Sequence, residues 1–246
     1  GRNCVHTWET DNLPVQLRRG EMRWASSIIQ ALNDQRFELD CQPITALRAG
    51  PDGPHYEVLL RMRDELGARI KPGEFLPAAE RYNLAARIDR WVIERVFEWI
   101  AARPGVLAQI GQLSINLSGR SLGQSEMLGC ILDALRGTRV PAHKICFEIT
   151  ETAAVSDLAG ANQFIRRLKE HGCRFALDDF GSGFSSLVYL KQLPVDYLKI
   201  DGAFVRDMAT DSIDFAMVRS INDIGHLLGK HTVAEFVETE TTITLL

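Results

Sequence analysis

The sequence predicts an α/β fold in which parallel strands alternate with helices, on the scale of a single (β/α) barrel. Three observations predict it. The chain has 246 residues, and such barrels commonly fill roughly 250 residues as one domain. Beyond residue 110, short apolar runs alternate with helical segments, the pattern of βαβ units. Acidic or amide residues stand inside or at the ends of five successive runs, the end at which a barrel carries its chemistry.

The elements follow in order. Residues up to about Pro14 have no helical period and read as a tail or linker. From Val15 to about Gln35 the residues Leu17, Met22, Trp24, Ile28, Ile29 and Leu32 recur at near-helical spacing, which predicts a helix. RFELDCQPITAL (36–47) reads as a strand, and Pro-Asp-Gly at 51–53 as a turn into a second strand, HYEVLLRM (55–62), so the two form a hairpin. Helices are expected near 75–83 and 87–103. Strands follow at LSIN (113–116), ICFEIT (145–150), FALDD (175–179), YLKI (197–200) and TVAEFV (232–237), with helices near 121–136, 156–171, 185–192 and 211–229.

Composition bounds the function. With 46% hydrophobic and 24% charged residues the chain is an ordinary globular protein, and its net charge of −4 gives no basic groove for a nucleic-acid polymer. No apolar run approaches the ~20 residues of a membrane span, and GRNCVHTWET is not a signal peptide. Five scattered cysteines without C-x-x-C spacing suit reduced thiols. The expected location is cytoplasmic, with room for a membrane anchor elsewhere in a parent protein.

Carboxylates within apolar strands are costly unless paired or bound to metal. Glu57, Asn116, Glu148, Asp178, Asp179 and Glu235 form an oxygen-only donor set, which suits Mg²⁺ or Mn²⁺. The six histidines show no H-E-x-x-H or H-x-H spacing. Side chains alternate along a regular strand, so Asp178 and Asp179 reach one centre only if the strand bends there. Two cations roughly 3.5–4 Å apart are a recurrent device for phosphoester hydrolysis. FGSGFSSL (180–187) follows the acid pair and reads as a tight loop over the site. Lys199 lies amid apolar strand residues and reads either as a salt-bridged lysine or as a cation serving the transition state. Arg61 reads either as a surface arginine or as a phosphate clamp.

Together these segments resemble the EAL domains, which hydrolyse cyclic di-GMP to linear pGpG. The resemblance runs from about Leu17 to the C-terminus. Its motifs are QPI (42–44), EVLLR (57–61), KPGEFLPAAE (71–80), NLS (116–118), EITE (148–151), DDFGSGFSSL (178–187), LPVDYLKID (193–201) and VAEFVE (233–238). It implies a modified TIM-like (β/α)8 barrel with an antiparallel first strand. It implies two metal ions per site: one at Glu57, Asn116, Glu148 and Asp178, the other at Asp178, Asp179 and Glu235. Lys199 is the expected positioner of the catalytic water, and Glu235 its base. Gln42, Leu60, Arg61 and Glu238 match substrate-binding positions. Glu151 matches the acid that anchors the loop carrying Gly181, Ser182 and Ser185, and that loop is the expected homodimer contact.

The segment GRNCVHTW resembles the last strand of a GGDEF domain, which divides the chain into a GGDEF-like tail at 1–13 and an EAL domain at 14–246. Three departures stand out. The signature reads EVL, and Phe236 stands where the family often has glycine. The sequence also stops soon after the seventh barrel strand, so the barrel is expected to be truncated before the last strand. Two rival functions stay open: a catalytically silent receptor for cyclic di-GMP, and an unrelated metal-dependent barrel enzyme such as a sugar-phosphate enzyme.

Overall fold

The computed structural model describes residues 13–47, 53–183 and 187–246. The expected tail at 1–13 falls almost wholly outside these residues, as do Ser185 and most of the turn at 51–53. Contacts divide the chain into two units. One contains residues up to Glu38 together with Leu60–Ala85, the other Leu39–Leu59 with Ala86–Leu246.

In chain order the elements are α1 (Leu13–Asn33), β1 (Phe37–Ile44), β2 (His55–Arg63), β3 (Arg69–Ile70), α2 (Pro72–Arg81), α3 (Ala85–Ala101), α4 (Pro104–Gln109), β4 (Gln112–Asn116), α5 (Ser125–Thr138), β5 (Ile145–Thr150), α6 (Glu151–Ser156), α7 (Leu158–Lys169), β6 (Arg174–Phe180), β7 (Tyr197–Ile200), α8 (Gly202–Val205), α9 (Ser212–Leu227), β8 (His231–Ala234) and α10 (Glu240–Leu245).

In the first unit, α1 packs against α2. The Arg36 carbonyl accepts from the Arg63 amide (2.8 Å). This joins the start of β1 to the end of β2, so the paired strands run antiparallel. Asp64 closes the turn into β3 by accepting from the amides of Leu66 and Ala68 (2.9 and 2.8 Å). Helix α2 begins three residues earlier than expected. Pro72 opens it, since its fixed φ suits a first helical turn, and Glu74 accepts from the Lys71 amide (3.1 Å).

In the second unit the strands are ordered β2-β4-β5-β6-β7-β8, and each neighbouring pair is parallel. Buried parallel strands read as near-continuous apolar runs, as ICFEIT does. Ile145, Phe147 and Ile149 are fully buried on one face of β5, with Phe175 and Leu177 on β6 and Leu198 on β7. The opposite face carries a packed layer of Cys146, Ala176 and Tyr197, against which Val233 rests.

Several boundaries differ from expectation. The stretch 156–171 is broken at Asp157, whose carboxylate accepts from the Gly160 amide (3.0 Å) and starts α7 afresh, leaving α6 as a separate short helix. Helix α5 starts at Ser125 because turns occupy 119–123 and Gly123 takes φ +77°. The described part of the helix expected at 185–192 is a 3-10 turn, Leu187–Lys191, followed closely by Pro194. Strand β8 ends at Ala234 because Phe236 adopts a left-handed conformation, φ +52°, which a regular strand does not admit.

Candidate active site

The site follows from the period of two along each strand. One step of two residues beyond the layer of Cys146, Ala176, Tyr197 and Val233 stand Glu148, Asp178, Lys199 and Glu235. The apolar layer is therefore the floor of the site, and it keeps water from one side of four ionisable groups. Glu57 on β2 and Asn116 at the end of β4 join them: the Asn116 amide donates to Glu57 Oε1 at 2.8 Å.

Lys199 is the centre. Its Nζ lies 2.6 Å from Glu148, 2.9 Å from Glu235, 3.1 Å from Asp178 and 3.2 Å from Glu57. Lys199 is 2% exposed and Glu148 1%. Burial alone would push the ammonium down, but the four carboxylates, Glu148 foremost, hold it above its ordinary range. It is a fixed positive charge. Glu148 is pushed up to about 7, first by burial and then by the nearby Glu57 and Asp178, against the pull of Lys199. Burial also raises Glu235, and raises Asp179 with help from Asp178.

Asp178 and Asp179 reach a common centre by a local irregularity. The pairing of β6 with β7 slips between Leu177 and Phe180, and Asp179 takes φ +53°. Aspartate tolerates this left-handed region better than most residues. As a result, oxygens of Asp178, Asp179 and Glu235 lie within 4.8 Å of one another, close enough to hold one metal ion. The donor set fits a hard divalent cation. It is all oxygen, and four carboxylates face a single ammonium, so negative charge is left over in a buried place.

The raised Glu148 makes a prediction for the metal-free chain. A carboxyl whose folded value exceeds its unfolded one binds more protons when folded, so stability is lost as pH rises between the two values. Stability in EDTA is expected to fall from about pH 4.5 to about pH 7, by on the order of 3 kcal/mol from Glu148 alone. Urea unfolding at several pH values checks this, and Glu148→Gln should flatten the slope. An equal slope in that variant would place the effect elsewhere.

Residues 25–246 match the model of the family described as EAL domain. The chain belongs to the EAL domain family. It is 41% identical over 240 residues to cyclic di-GMP phosphodiesterase PdeB of Shewanella oneidensis, covering 98% of this chain. It is 36% identical over 211 residues to cyclic di-GMP phosphodiesterase PdeF of Escherichia coli, covering 86% of this chain. The match spans 28% of the length of each of those relatives. Among solved structures, the FimX EAL domain of Pseudomonas aeruginosa bound to c-di-GMP superposes with a TM-score of 0.83 at 32% identity, covering 91% of this chain and 89% of that one. With the strand order above, this sets the fold class: α/β, a modified TIM-like barrel with an antiparallel first strand.

The remaining residues singled out in this EAL domain fall as follows. Gln42 is exposed on β1, and Glu238 is exposed beyond β8. Leu60 and Arg61 lie on the later part of β2, in the first unit, and the Arg61 guanidinium donates to the Leu60 carbonyl (2.8 Å). Glu151 opens α6, buried, and its two oxygens accept from the Gly181 amide (2.9 Å) and from the Tyr189 hydroxyl (2.7 Å). One carboxylate thus ties Gly181 to Tyr189. Gly181 takes φ +99° there, and the Ser182 hydroxyl donates to the Asp179 carbonyl (2.8 Å). Tyr189 carries no sequence mark as a partner of Glu151; only the fold brings them together. Asp201 caps α8 through the Ala203 amide (2.8 Å). Among the described residues, no helix is long and apolar enough to cross a membrane.

Proposed function

We propose that this EAL domain hydrolyses cyclic di-GMP to linear pGpG and depends on two divalent cations, Mg²⁺ or Mn²⁺. One observation carries the reading: carboxylates from β2, β5 and β6 and from the segment after β8 converge on one buried lysine at a single end of a parallel sheet. The names of the relatives and the ligand of the FimX domain point to the same substrate.

Glu57, Asn116, Glu148 and Asp178 would hold one cation, and Asp178, Asp179 and Glu235 the other. Bound there, the cations would acidify the attacking water and neutralise charge on the phosphodiester. Lys199 stays charged and orients the water while donating hydrogen bonds to the oxygens that gain charge. Glu235, raised by burial, takes the proton of the water. The water oxygen bonds to phosphorus, the bond to the 3′-oxygen breaks, and that oxygen leaves as a hydroxyl by taking a proton from solvent water, while the proton held by Glu235 returns to solvent. The product is a linear dinucleotide with a 5′-phosphate. Gln42, Leu60, Arg61 and Glu238 are proposed to hold the nucleotide.

Incubation of the chain with cyclic di-GMP and Mg²⁺ or Mn²⁺, followed by chromatography, tests this. The expected result is pGpG, abolished by EDTA. Tight binding of cyclic di-GMP without product would favour the receptor reading instead.

A further inference from the structure

We infer that Asp89 is a positioning residue for Asn116; this rests on the reading of Asn116 as a metal ligand. Asp89 lies in α3 and is 8% exposed. One of its oxygens, Oδ2, accepts from three donors: the Ser118 amide at 2.9 Å, the Ser118 hydroxyl at 2.6 Å and the Ser121 hydroxyl at 2.6 Å. Charge-assisted bonds of this kind are the strong ones. All three donors belong to the turn that takes the chain away from the end of β4.

Asn116 needs such help. Its side chain is exposed, so packing does little to hold it, and its hydrogen bond runs to Glu57, itself a proposed ligand. What orients Asn116 is the backbone on either side. Upstream, β4 is paired with β2 and β5. Downstream, the Leu117 amide donates to the carbonyl of Glu148 (2.8 Å), and the next amide, that of Ser118, donates to Asp89. The ladder therefore ends on a carboxylate supplied by a helix. The turn has little freedom on its other side as well: a Cβ on Gly119 would stand 2.9 Å from the Ala153 side chain of α6. Without Asp89 the Ser118 amide loses its acceptor, so the Leu117–Ser118 peptide loses its anchor and Asn116 is held downstream by the single bond from the Leu117 amide to Glu148.

Partners that orient metal ligands typically change metal affinity or activity by ~10–100-fold when lost. The test uses Asp89→Ala, Asp89→Asn and the double variant S118A/S121A, with Mn²⁺ binding measured by calorimetry without nucleotide, beside kcat, KM and Tm. Asp89→Ala is expected to weaken Mn²⁺ binding and lower kcat by about 10-fold, with KM for cyclic di-GMP little changed. Asp89→Asn keeps one neutral acceptor and should fall between. If Asp89→Ala does not fold, S118A/S121A removes the hydroxyl contacts alone and should shift Mn²⁺ binding in the same direction. A lower Tm with unchanged Mn²⁺ binding and kcat would overturn the inference, leaving Asp89 a structural residue only. Asn116→Ala separates the two readings. Weakened Mn²⁺ binding there, with Asp89 variants unaltered, overturns the positioning role alone. Unaltered binding in Asn116→Ala overturns the ligand assignment and the Asp89 inference with it.

Discussion

Lys199→Met is expected to lower turnover of cyclic di-GMP by about 10²–10³-fold while leaving Mn²⁺ binding as tight as before or tighter. Methionine keeps much of the length and apolar stem of lysine, so the floor of Cys146, Ala176 and Tyr197 stays covered. What goes is the ammonium that contacts four carboxylates. Those carboxylates then repel one another with no counter-charge and draw a divalent cation more strongly. Without a cation, Glu148 and Glu235 should take up protons at higher pH than in the parent chain, because the pull of Lys199 opposes their rise. The two readouts divide the possible roles of this lysine. Lost turnover with retained Mn²⁺ binding assigns it to the reaction. Loss of both would make it a scaffold for the carboxylates, and full turnover would remove it from the mechanism.

Asp178→Asn is expected to differ in its metal binding, losing Mn²⁺ together with turnover, the latter by about 10³-fold. Asp178 is the proposed shared ligand: it touches Lys199 on one side and lies with Asp179 and Glu235 on the other. The amide is nearly isosteric but carries no charge. In the metal-free chain the substitution should not lower Tm, since Asp178 adds to the repulsion that raises Glu148, Asp179 and Glu235. Calorimetry with Mn²⁺ and thermal unfolding in EDTA measure both effects. A variant that still binds two Mn²⁺ would sink the shared-ligand assignment, and a marked drop in Tm would mean that the carboxylate also carries structural weight.

The contrast rests on a feature of energetics. A buried cluster of unequal charge is a poor way to stabilise a fold, because desolvation of each ion is only partly recovered by its partners. Four carboxylates on one ammonium are over-supplied with negative charge. Such an arrangement fits a site that awaits cations and an anionic ligand better than it fits a core.

Much of this was legible in the sequence for a physical reason. Strands buried on both faces must be apolar, so LSIN, ICFEIT, FALDD and YLKI stand out as strands, and an acid or a lysine inside one stands out as an anomaly that needs a partner. Asp89 had a fainter signal. It occupies the apolar face of α3, beside the buried Ile88, Val92, Ile93 and Val96, where a charge needs a reason. Short helices such as α4, α6, α8 and α10 span too few turns to show a period. The broken stretch at Asp157 and the early start of α2 at Pro72 turned on capping and proline geometry, which a periodicity reading overlooks.

By itself, then, the sequence determined which strands alternate with which helices, and which acids and lysine sit where none should be buried unpaired. Only the tertiary structure decided which of them meet. Lys199 meets Glu57 across 142 positions of chain and Glu148 across 51, and Tyr189 meets Glu151 across 38. Local pattern records what a residue is and which face it takes. Strand register, the slip after Leu177 and the left-handed turn at Asp179 place those faces together, and these depend on neighbours far along the chain.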